Sequence, residues 1–506
     1  MAIHRKINPK AFCKMQIKKE STVSSISFIG MKICVLQPDY STSDVDYQHY
    51  DPPRNLTHLI PEANIDHIFL NKLTTYKQLK ELSKQKYDIF VNLCEGYLEW
   101  AVPSIEVIYF LELLNLPFTG PSSLLYDPPK ELMKYVAYTE GIATSAYALI
   151  DKEMDVEKEI AHLQYPLFVK PAKAGDSLGI DEKSKVNNLQ ELKEKINVIV
   201  DEYAPLLVEE YISGREFTVM LAANGDNEKP VTVFRPVEYI FPEGSSFKTY
   251  SLKTSALHPG ANIPLMDKKI DEQLRFAAQK IFKSFNGMGY ARLDFRMNDE
   301  GKLFFLEINF TCSVFYKDGY EGSADYILQH DGFGQANFLR HIIQEGIGRH
   351  KRLQKKYVMK GNSIAGYGIY ATHDLGVNDL IFNGEEKSQR LATRRHVEQS
   401  WNSSEKEIFR KYAYPLSKEV FLLWDDNPIG WAPQNHSCNA NTAYKGLDVI
   451  ATRHINSGDE LTLDYASFLD ENMAPFNCQC GSPNCRGLIT GKKDNSVTER
   501  ESKAHS

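Results

Sequence analysis

Apolar and polar positions divide the chain into regions with different patterns. Residues 31–36 and 88–93 form short apolar runs that predict buried strands, and residues 104–114 show helical spacing. Strands that alternate with helices are typical of a parallel α/β layer. From about residue 127 to 348, longer strands are mixed with helices, and this pattern indicates an α+β domain.

The last third of the chain has a different pattern. Residues 349–360 are short, basic and without an apolar face, and we expect a linker there. Short β-like runs follow, interrupted by a polar helical insert near residues 397–412, so this region is predicted to be mostly β. The expected organisation in chain order is an N-terminal arm (1–30), an α/β domain (31–126), an α+β domain (127–348), the linker, a mostly β domain (361–470), a cysteine-bearing segment (471–491) and a charged, serine-containing disordered tail (492–506).

Bulk composition narrows the class of protein. A chain of 506 residues is too long for one hydrophobic core, and 42% hydrophobic with 25% charged residues is ordinary for a folded protein. The net charge of −7 argues against bulk nucleic-acid binding, so we expect no direct nucleic-acid partner. No apolar run reaches the ~18 residues of a membrane span, and residues 1–20 lack an apolar signal core. We therefore expect a cytoplasmic protein without a membrane partner, and the scattered cysteines, which form no disulfide framework, agree with this.

A loop after a predicted strand is the first candidate for chemistry. Lys170 lies at the end of an apolar run, and the loop that follows contains Gly175 and Ser177. Backbone N–H groups of such a loop can wrap phosphate oxygens while the lysine supplies a point charge. A plain surface turn would give the same pattern, and the Gly-Lys-Ser/Thr order of a Walker motif is absent.

Two later segments carry polar side chains at alternate positions. Asp294 lies in one β-like run, and Glu307 and Asn309 lie in the next. Alternate residues of a strand face the same side, so these side chains would converge as the oxygen ligands that Mg²⁺ prefers together with triphosphate oxygens. Arg292 lies two residues before Asp294, so it points the same way and can reach an anion. The alternative is a pair of amphipathic strands with a solvated acidic face.

With these motifs, roughly residues 31–345 resemble the D-alanine–D-alanine ligase branch of the ATP-grasp family. Further matches lie at residues 116–120, Lys130 with Lys134, residues 209–216 and Lys253. The resemblance implies an ATP- and Mg²⁺-dependent carboxylate–amine ligase with an amino-acid or peptide substrate. For ATP, the resemblance implies phosphate contacts by Lys130, Lys170 and the Gly175–Ser177 loop, adenine contacts by Glu209 and Ile212, and a ribose contact by Glu216. It implies that Lys253 lies near the transferred phosphate and that Arg292 stabilises the oxyanion. It also implies that Mg²⁺ is bound by Asp294, Glu307 and Asn309.

The chain departs from the ligase pattern where substrates would lie. The family usually begins with Gly-Gly-x-Ser-x-Glu, whereas the first strand here runs into Gln-Pro-Asp-Tyr-Ser-Thr-Ser at residues 37–43. After the metal-ligand asparagine the family usually has Ser-Pro-Gly, whereas residues 310–313 are Phe-Thr-Cys-Ser. The ATP-binding residues are intact while both amino-acid pockets differ, which argues against D-alanine as the substrate.

The last third of the chain carries a second set of motifs. Gly366, Tyr367 and Gly368 form a Gly-x-Gly among β-prone residues. Glycines let a backbone approach a ligand closely, although a tight hairpin would give the same pattern. Asn435 and His436 follow about 70 residues later in an Asn-His-Ser-Cys run.

Tyr465 closes the β-like run 460–465, about 30 residues after the Asn-His pair. Together these signals resemble a SET-domain lysine methyltransferase, which transfers a methyl group from S-adenosylmethionine to an amine. The resemblance implies that the Gly-x-Gly backbone and the Asn-His pair line the S-adenosylmethionine pocket. It also implies that Tyr465 is the active-site tyrosine that orients the amine; a buried core tyrosine is the alternative.

Four cysteines complete the pattern. Cys478, Cys480 and Cys485 lie close together, and Cys438 lies about 40 residues earlier. Four thiolates around Zn²⁺ form a closed tetrahedral structural site, and the arrangement resembles the post-SET segment of the same family. We therefore expect a zinc site, with unrelated buried thiols as the alternative. No cysteine lies between Cys312 and Cys438, so the cysteine-rich pre-SET segment of histone methyltransferases is missing and a histone-like substrate is not implied.

The sequence thus predicts a bifunctional enzyme, an ATP-grasp carboxylate–amine ligase followed by a SET-type lysine N-methyltransferase. The expected cofactors are ATP, Mg²⁺, S-adenosylmethionine and Zn²⁺. The expected partners are an amino acid or peptide for the ligase half and a protein or another amine for the SET half. In the main alternative, the N-terminal half is a non-catalytic nucleotide- or peptide-binding module, or a scaffold, attached to an active methyltransferase.

Overall fold

The computed structural model describes residues 26–43, 51–96, 101–173, 178–224, 231–244, 246–248, 259–354, 356–424, 434–470 and 474–491. The chain divides into two compact units, one that ends at Leu353 and one that begins at Gln354. Several predicted features lie outside the described residues, namely the first 25 residues of the arm, the tail, Gly175, Ser177 and Lys253. Within the described ranges, no helix is both long enough and apolar enough to span a membrane.

The described part of the N-terminal unit contains strands and helices in alternation. Its strands are β1 Lys32–Pro38, β2 Asn64–Leu70, β3 Ile89–Asn92, β4 Tyr147–Ile150, β5 Leu167–Pro171, β6 Lys185–Val186, β7 Leu206–Glu210, β8 Arg215–Ala223, β9 Val231–Val233, β10 Val237–Tyr239, β11 Asn262–Pro264, β12 Tyr290–Met297 and β13 Leu303–Asn309. Its α-helices are α1 Thr75–Leu82, α2 Ile105–Leu113, α3 Lys130–Thr139, α4 Val156–Glu159, α5 Leu189–Tyr203, α6 Lys268–Ser284, α7 Ser323–Asp331 and α8 Gly334–Leu353. Short 3₁₀ turns lie at Thr57–Leu59, Ser83–Gln85, Ser123–Leu125, Glu182–Ser184 and Pro259–Ala261.

The predicted parallel α/β layer is present. Strands β2, β1 and β3 form a parallel sheet in that order. In β1, Ile33 and Val35 join one hydrophobic cluster, whereas Cys34 and Leu36 join another on the opposite face. Both faces of the strand are therefore covered, which explains why its sequence is apolar without alternation.

Two antiparallel sheets follow. One has the order β4-β7-β5-β6, and the other has the order β11-β10-β8-β12-β13 with β9 paired to β8. Helix α6 is capped by Asp267, whose carboxylate accepts from the backbone N–H groups of Lys269 and Ile270. Its apolar residues recur at helical spacing and pack with alternate residues of β8, β12 and β13 in one cluster. The result is the α+β arrangement that the sequence pattern indicates.

The basic segment expected as a linker has regular structure at both ends. Helix α8 continues to Leu353, and a strand begins at Tyr357. The helix extends this far because Arg349 is buried and donates hydrogen bonds to the carbonyl oxygens of Gly120 and Phe118, each at 2.7 Å. Arg349 is thus anchored to the protein, whereas Lys351 and Arg352 are exposed.

The C-terminal unit consists mainly of short strands. They are β14 Tyr357–Asn362, β15 Gly366–Ala371, β16 Leu380–Phe382, β17 Gln389–Thr393, β18 Tyr414–Pro415, β19 Val420–Trp424, β20 Asn435–His436, β21 Thr442–Lys445, β22 Asp448–Ala451, β23 Thr462–Leu463, β24 Phe476–Asn477 and β25 Leu488–Ile489. Its described helices are α9 Arg394–Ser400, α10 Ser403–Tyr412 and a 3₁₀ turn at Tyr465–Ser467. Most pairings are antiparallel, but β20 and β23 pair in parallel and so bring the Asn-His pair beside the strand that precedes Tyr465.

The predicted polar helical insert consists of two helices. The first helix ends at Ser400, and Asn402 caps the start of the second. The Asn402 side chain accepts from the backbone N–H of Glu405, and the Glu405 side chain accepts from the backbone N–H of Asn402 in a capping box. Trp401 and Phe409 pack edge to face, with ring centroids 6.0 Å apart. The insert therefore has a small apolar core of its own with residues of β17 and β19.

Candidate active sites

The most deeply buried charges of the N-terminal unit surround Glu209. The ammonium groups of Lys170, on β5, and Lys134, on α3, lie 2.5 Å and 2.6 Å from its carboxylate oxygens. The Ser145 hydroxyl donates to the same carboxylate at 2.7 Å. Burial alone would raise the pKa of Glu209, but the two ammonium groups outweigh it and hold that pKa well below its usual range. Lys170 and Glu209, which the sequence assigns to phosphate and adenine, are thus in direct contact here.

A second charged group surrounds Glu216. Its carboxylate lies 2.8 Å from Lys248 and 3.0 Å from Arg296. Arg296 also donates to the carbonyl oxygens of Ile212, at 2.7 Å, and Ser246. The sequence analysis missed Lys248 and Arg296. Arg296 carried a signal, since it lies two residues after Asp294 on the same strand and therefore faces the same side.

Glu209, Glu216 and most of the groups around them line one cavity between the two antiparallel sheets. The lining combines apolar and aromatic side chains with the charged groups described above and with Lys130, Asp294 and Glu307. A ligand in this cavity would therefore contact both apolar side chains and charged groups.

The predicted magnesium ligands are directly opposed on neighbouring strands. Asp294 pairs with Glu307 and Arg292 pairs with Asn309 in the register of β12 and β13. The ammonium of Lys130 lies 3.6 Å from the Glu307 carboxylate. Two carboxylates and an amide oxygen from adjacent strands are ligands that suit Mg²⁺. The donor set therefore fits the ion that the sequence predicts.

In the C-terminal unit, Asn435 connects the two ends of the predicted S-adenosylmethionine pocket. Its amide donates to the carbonyl oxygen of Tyr367 at 2.6 Å and to Glu460 at 2.8 Å. A Cβ at Gly368 would lie 2.3 Å from the Glu460 carboxylate, so a larger residue there would displace that carboxylate. Asn362 donates to Glu460 as well, at 3.0 Å. The sequence analysis included Glu460 in a motif but gave it no role, and the structure makes it the acceptor that fixes Asn435.

Tyr465 lies in a predominantly aromatic environment beside this pocket. Its hydroxyl donates to the carbonyl oxygen of Gln434 at 2.5 Å, and its backbone N–H donates to Nδ1 of His436 at 3.2 Å. Phe468 and Phe476 lie with ring centroids 5.8 Å and 6.1 Å from its own. Burial raises the pKa of the Tyr465 phenol, so the hydroxyl stays protonated at neutral pH. The phenol oxygen is thus fixed in direction and can still accept a hydrogen bond from an amine.

The four cysteines of the expected zinc site lie together, with their sulfur atoms all within 4.8 Å of one another. Zn–S bonds of about 2.3 Å in a tetrahedron place sulfur atoms roughly 3.8 Å apart, and Cys438 and Cys478 are 3.9 Å apart. The backbone N–H of Arg486 donates to the Cys438 sulfur at 3.4 Å, which suits a thiolate. The donor set therefore fits Zn²⁺.

One zinc ion per chain is expected in the purified protein. Cys480→Ser should lower the zinc content from about one to near zero and should lower the melting temperature of the C-terminal unit, because metal binding and folding are coupled at such sites. Cys34→Ala, which removes a buried thiol of β1, is the matched control and should keep the zinc. Elemental analysis measures the zinc content, and calorimetry measures the melting temperature. An undiminished zinc content in Cys480→Ser, or none in the natural protein, would refute the site.

The two sites define a protein with a ligase-like unit and a SET unit, and comparison with known proteins agrees. The family described as "D-ala D-ala ligase C-terminus" matches residues 136–315, and the family described as "SET domain" matches residues 366–466. The chain is 30% identical to the D-alanine–D-alanine ligase of Aquifex aeolicus over 258 residues, which cover 51% of this chain and 80% of that protein. The chain belongs to the D-alanine–D-alanine ligase family through its N-terminal unit, and its C-terminal unit carries a SET domain.

Other D-alanine–D-alanine ligases match part of this chain and differ in how much of their own length is covered. The D-alanine–D-alanine ligase of Cupriavidus necator is 28% identical over 206 residues, which span 59% of that protein and 39% of this chain. The structure of the D-alanine–D-alanine ligase from Coxiella burnetii matches 65% of this chain and 97% of its own, at 19% identity and a TM-score of 0.48.

Proposed function

We propose that the N-terminal unit is an ATP-dependent carboxylate–amine ligase. The observation that supports this most directly is the opposed pair Asp294 and Glu307, which lines the same cavity as Lys130 and Lys170. ATP would supply the phosphoryl group that makes a carboxylate reactive towards an amine. Lys130 and Lys170 would neutralise phosphate oxygens, the acidic pair with Asn309 would hold Mg²⁺, and Arg292 would stabilise charge that develops on the carboxylate.

We propose that the C-terminal unit is an S-adenosylmethionine-dependent lysine N-methyltransferase. Asn435, held by Glu460 and the Tyr367 carbonyl, would form the wall of the cofactor pocket. Tyr465 would accept a hydrogen bond from the substrate amine, and the surrounding aromatic rings would exclude water from it. The sulfonium supplies a methyl group that is already reactive, so positioning is the main task of the protein.

A non-catalytic nucleotide-binding module is the second candidate for the N-terminal unit. Such a module would need only the residues that bind the nucleotide. The residues proposed to hold Mg²⁺ and to stabilise the reacting carboxylate are also present, with Asp294 opposite Glu307 and Arg292 opposite Asn309, and this favours the ligase. Full-length protein incubated with ATP, labelled S-adenosylmethionine and an amino-acid pool should yield ADP and a condensed product detectable by mass spectrometry. Nucleotide binding without ADP formation under any condition would favour the binding module.

Lys170→Met should lower kcat/KM for ATP by roughly 10- to 100-fold. The variant deletes the ammonium group that would donate a charged hydrogen bond to a phosphate oxygen, and it keeps most of the side-chain volume. Binding of S-adenosylmethionine should be unchanged, since its predicted residues lie in the other compact unit. Lys183→Met, in an exposed turn near the cavity, is the control and should retain full turnover. ADP release measures ATP turnover, and equilibrium dialysis measures the binding of S-adenosylmethionine. Equal loss of both in Lys170→Met would show that the units work as one cooperative structure.

A further inference from the structure

Helix α5 carries a charged residue on its apolar face. Leu192, Ile196 and Ile199 of this helix pack in one hydrophobic cluster with residues of β5 and β7. Lys195 lies about one helical turn from Leu192 and from Ile199 on the same face, and it is only 4% exposed. A buried charge is costly unless it is paired. The chain therefore has an ammonium group at a position where packing alone favours an apolar side chain.

The Lys195 ammonium group binds the segment 178–181, which follows β5 in the chain. It donates to the carbonyl oxygen of Gly179 at 3.0 Å and to the carboxylate of Asp181 at 2.9 Å. Asp181 also caps the short 3₁₀ turn Glu182–Ser184. Lys195 thus connects the backbone of this segment to the buried face of α5.

Segment 178–181 forms part of the wall of the cavity described above. Leu178 and Ile180, on either side of Gly179, line that cavity and are half-buried. Gly179 has a φ of +70°, and a Cβ there would lie 3.1 Å from the ring of Pro171, so the backbone passes closely over the end of β5. A bound ligand would cover more of the apolar surface of the two flanking side chains. Their position depends on how the Gly179 backbone is held.

The exposures of the two charged partners separate a positioning role from a structural one. The side chain of Lys195 is 3% exposed, whereas that of Asp181 is 53% exposed. Loss of the ammonium group would therefore leave a solvated carboxylate rather than a buried unpaired charge, and the cost in stability should be small. The main consequence should be that the Gly179 carbonyl, and with it this part of the cavity wall, is no longer held.

We propose that Lys195 is a positioning residue for nucleotide binding. It holds Leu178 and Ile180 in the conformation that contacts the bound nucleotide, so that binding does not have to order this part of the wall. This inference rests on the proposed binding of ATP by the N-terminal unit and not on ligation. It therefore applies to both candidate functions of that unit.

The test is a calorimetric titration of the full-length protein with a non-hydrolysable ATP analogue in the presence of Mg²⁺. Lys195→Met removes the ammonium group and places an apolar side chain on the apolar face of α5. It should raise the Kd of the analogue about 10-fold, because the nucleotide must then order the wall itself. The melting temperature of the N-terminal unit should change by less than about 4 °C. Lys195→Arg keeps a charged donor and should bind the analogue more tightly than Lys195→Met does.

Two further variants separate the two bonds and provide the control. Asp181→Asn removes the charge of the partner but leaves the bond from Lys195 to the Gly179 carbonyl, so it should raise the Kd by a smaller factor. Lys193→Met is the matched control, because Lys193 lies on the same helix and pairs with Glu157 at 2.6 Å, and neither is among the described residues that line the cavity. It should leave the Kd unchanged.

An unchanged Kd in Lys195→Met, an equal rise in Lys193→Met, or a rise that accompanies a large fall in melting temperature would overturn the positioning role. If Lys195→Met does not fold, Lys195→Arg and Asp181→Asn decide the question. A raised Kd in either of them at the natural melting temperature supports the role, and an unchanged Kd in both overturns it.

Failure of the proposed function gives a different result. A natural protein that binds no analogue would refute the nucleotide site and the role of Lys195 together. Binding of the analogue without formation of ADP from ATP would refute ligation alone, and the comparison of Lys195→Met with Lys193→Met would still decide the role of Lys195.

Discussion

Tyr465→Phe should lower the rate of methyl transfer by about 10²- to 10⁴-fold while the affinity for S-adenosylmethionine changes little. Phenylalanine keeps the ring, and hence its contacts with Phe468 and Phe476, but it deletes the hydroxyl that is held by the Gln434 carbonyl. The amine would then lack the acceptor that orients it towards the methyl donor. Asn435, Glu460 and the Tyr367 backbone are untouched, so the cofactor pocket should persist. Single-turnover rates at saturating cofactor measure the effect.

Tyr357→Phe is the matched control for this prediction. Tyr357 is a partly buried tyrosine that packs against the same hydrophobic cluster as Tyr465. Its replacement should leave the methyl-transfer rate within about threefold of the natural value. A Tyr465→Phe protein that is equally active would show that Tyr465 is a core residue, and the methyltransferase proposal would then rest on the cofactor pocket alone.

Glu307→Gln should lower ATP turnover by about 10³-fold. The variant keeps the size of the side chain but replaces an anionic oxygen ligand by a neutral one, and a metal that neutralises phosphate contributes a large share of such a rate. Excess Mg²⁺ should restore part of the activity, because weakened metal binding follows mass action. Methyl transfer should be unaffected, since Glu307 and the SET residues lie in separate compact units.

Asp299→Asn provides the comparison, because Asp299 is an exposed carboxylate in the turn between β12 and β13. It removes the same charge from the same hairpin and should keep full ATP turnover. Initial rates of ADP release over a range of Mg²⁺ concentrations would show both effects. Turnover in Glu307→Gln at the natural level would mean that the opposed carboxylates are a structural pair.

Local patterns were sufficient to find the parts of the candidate sites that lie on one element or on adjacent strands. Alternation placed Asp294 with Arg292 and Glu307 with Asn309 on shared faces, and the hairpin of β12 and β13 then opposed them. Helix and strand boundaries were less predictable, because they depend on contacts such as the bonds from Arg349 that extend α8 and the capping box that divides the insert.

The sequence by itself determined the two domain families and, through short spacings, the expected metal ligands, the Asn-His pair and Tyr465. Tertiary structure alone decided which distant groups are in contact. The bond from Ser313 to Glu95 joins residues 218 positions apart, and the bond from Arg54 to the Val314 carbonyl joins residues 260 positions apart. Arg296 and Lys248 likewise converge on Glu216 from separate segments. Periodicity reports only the direction of a side chain along its own element, whereas these contacts depend on how strands and loops from different parts of the chain pack together.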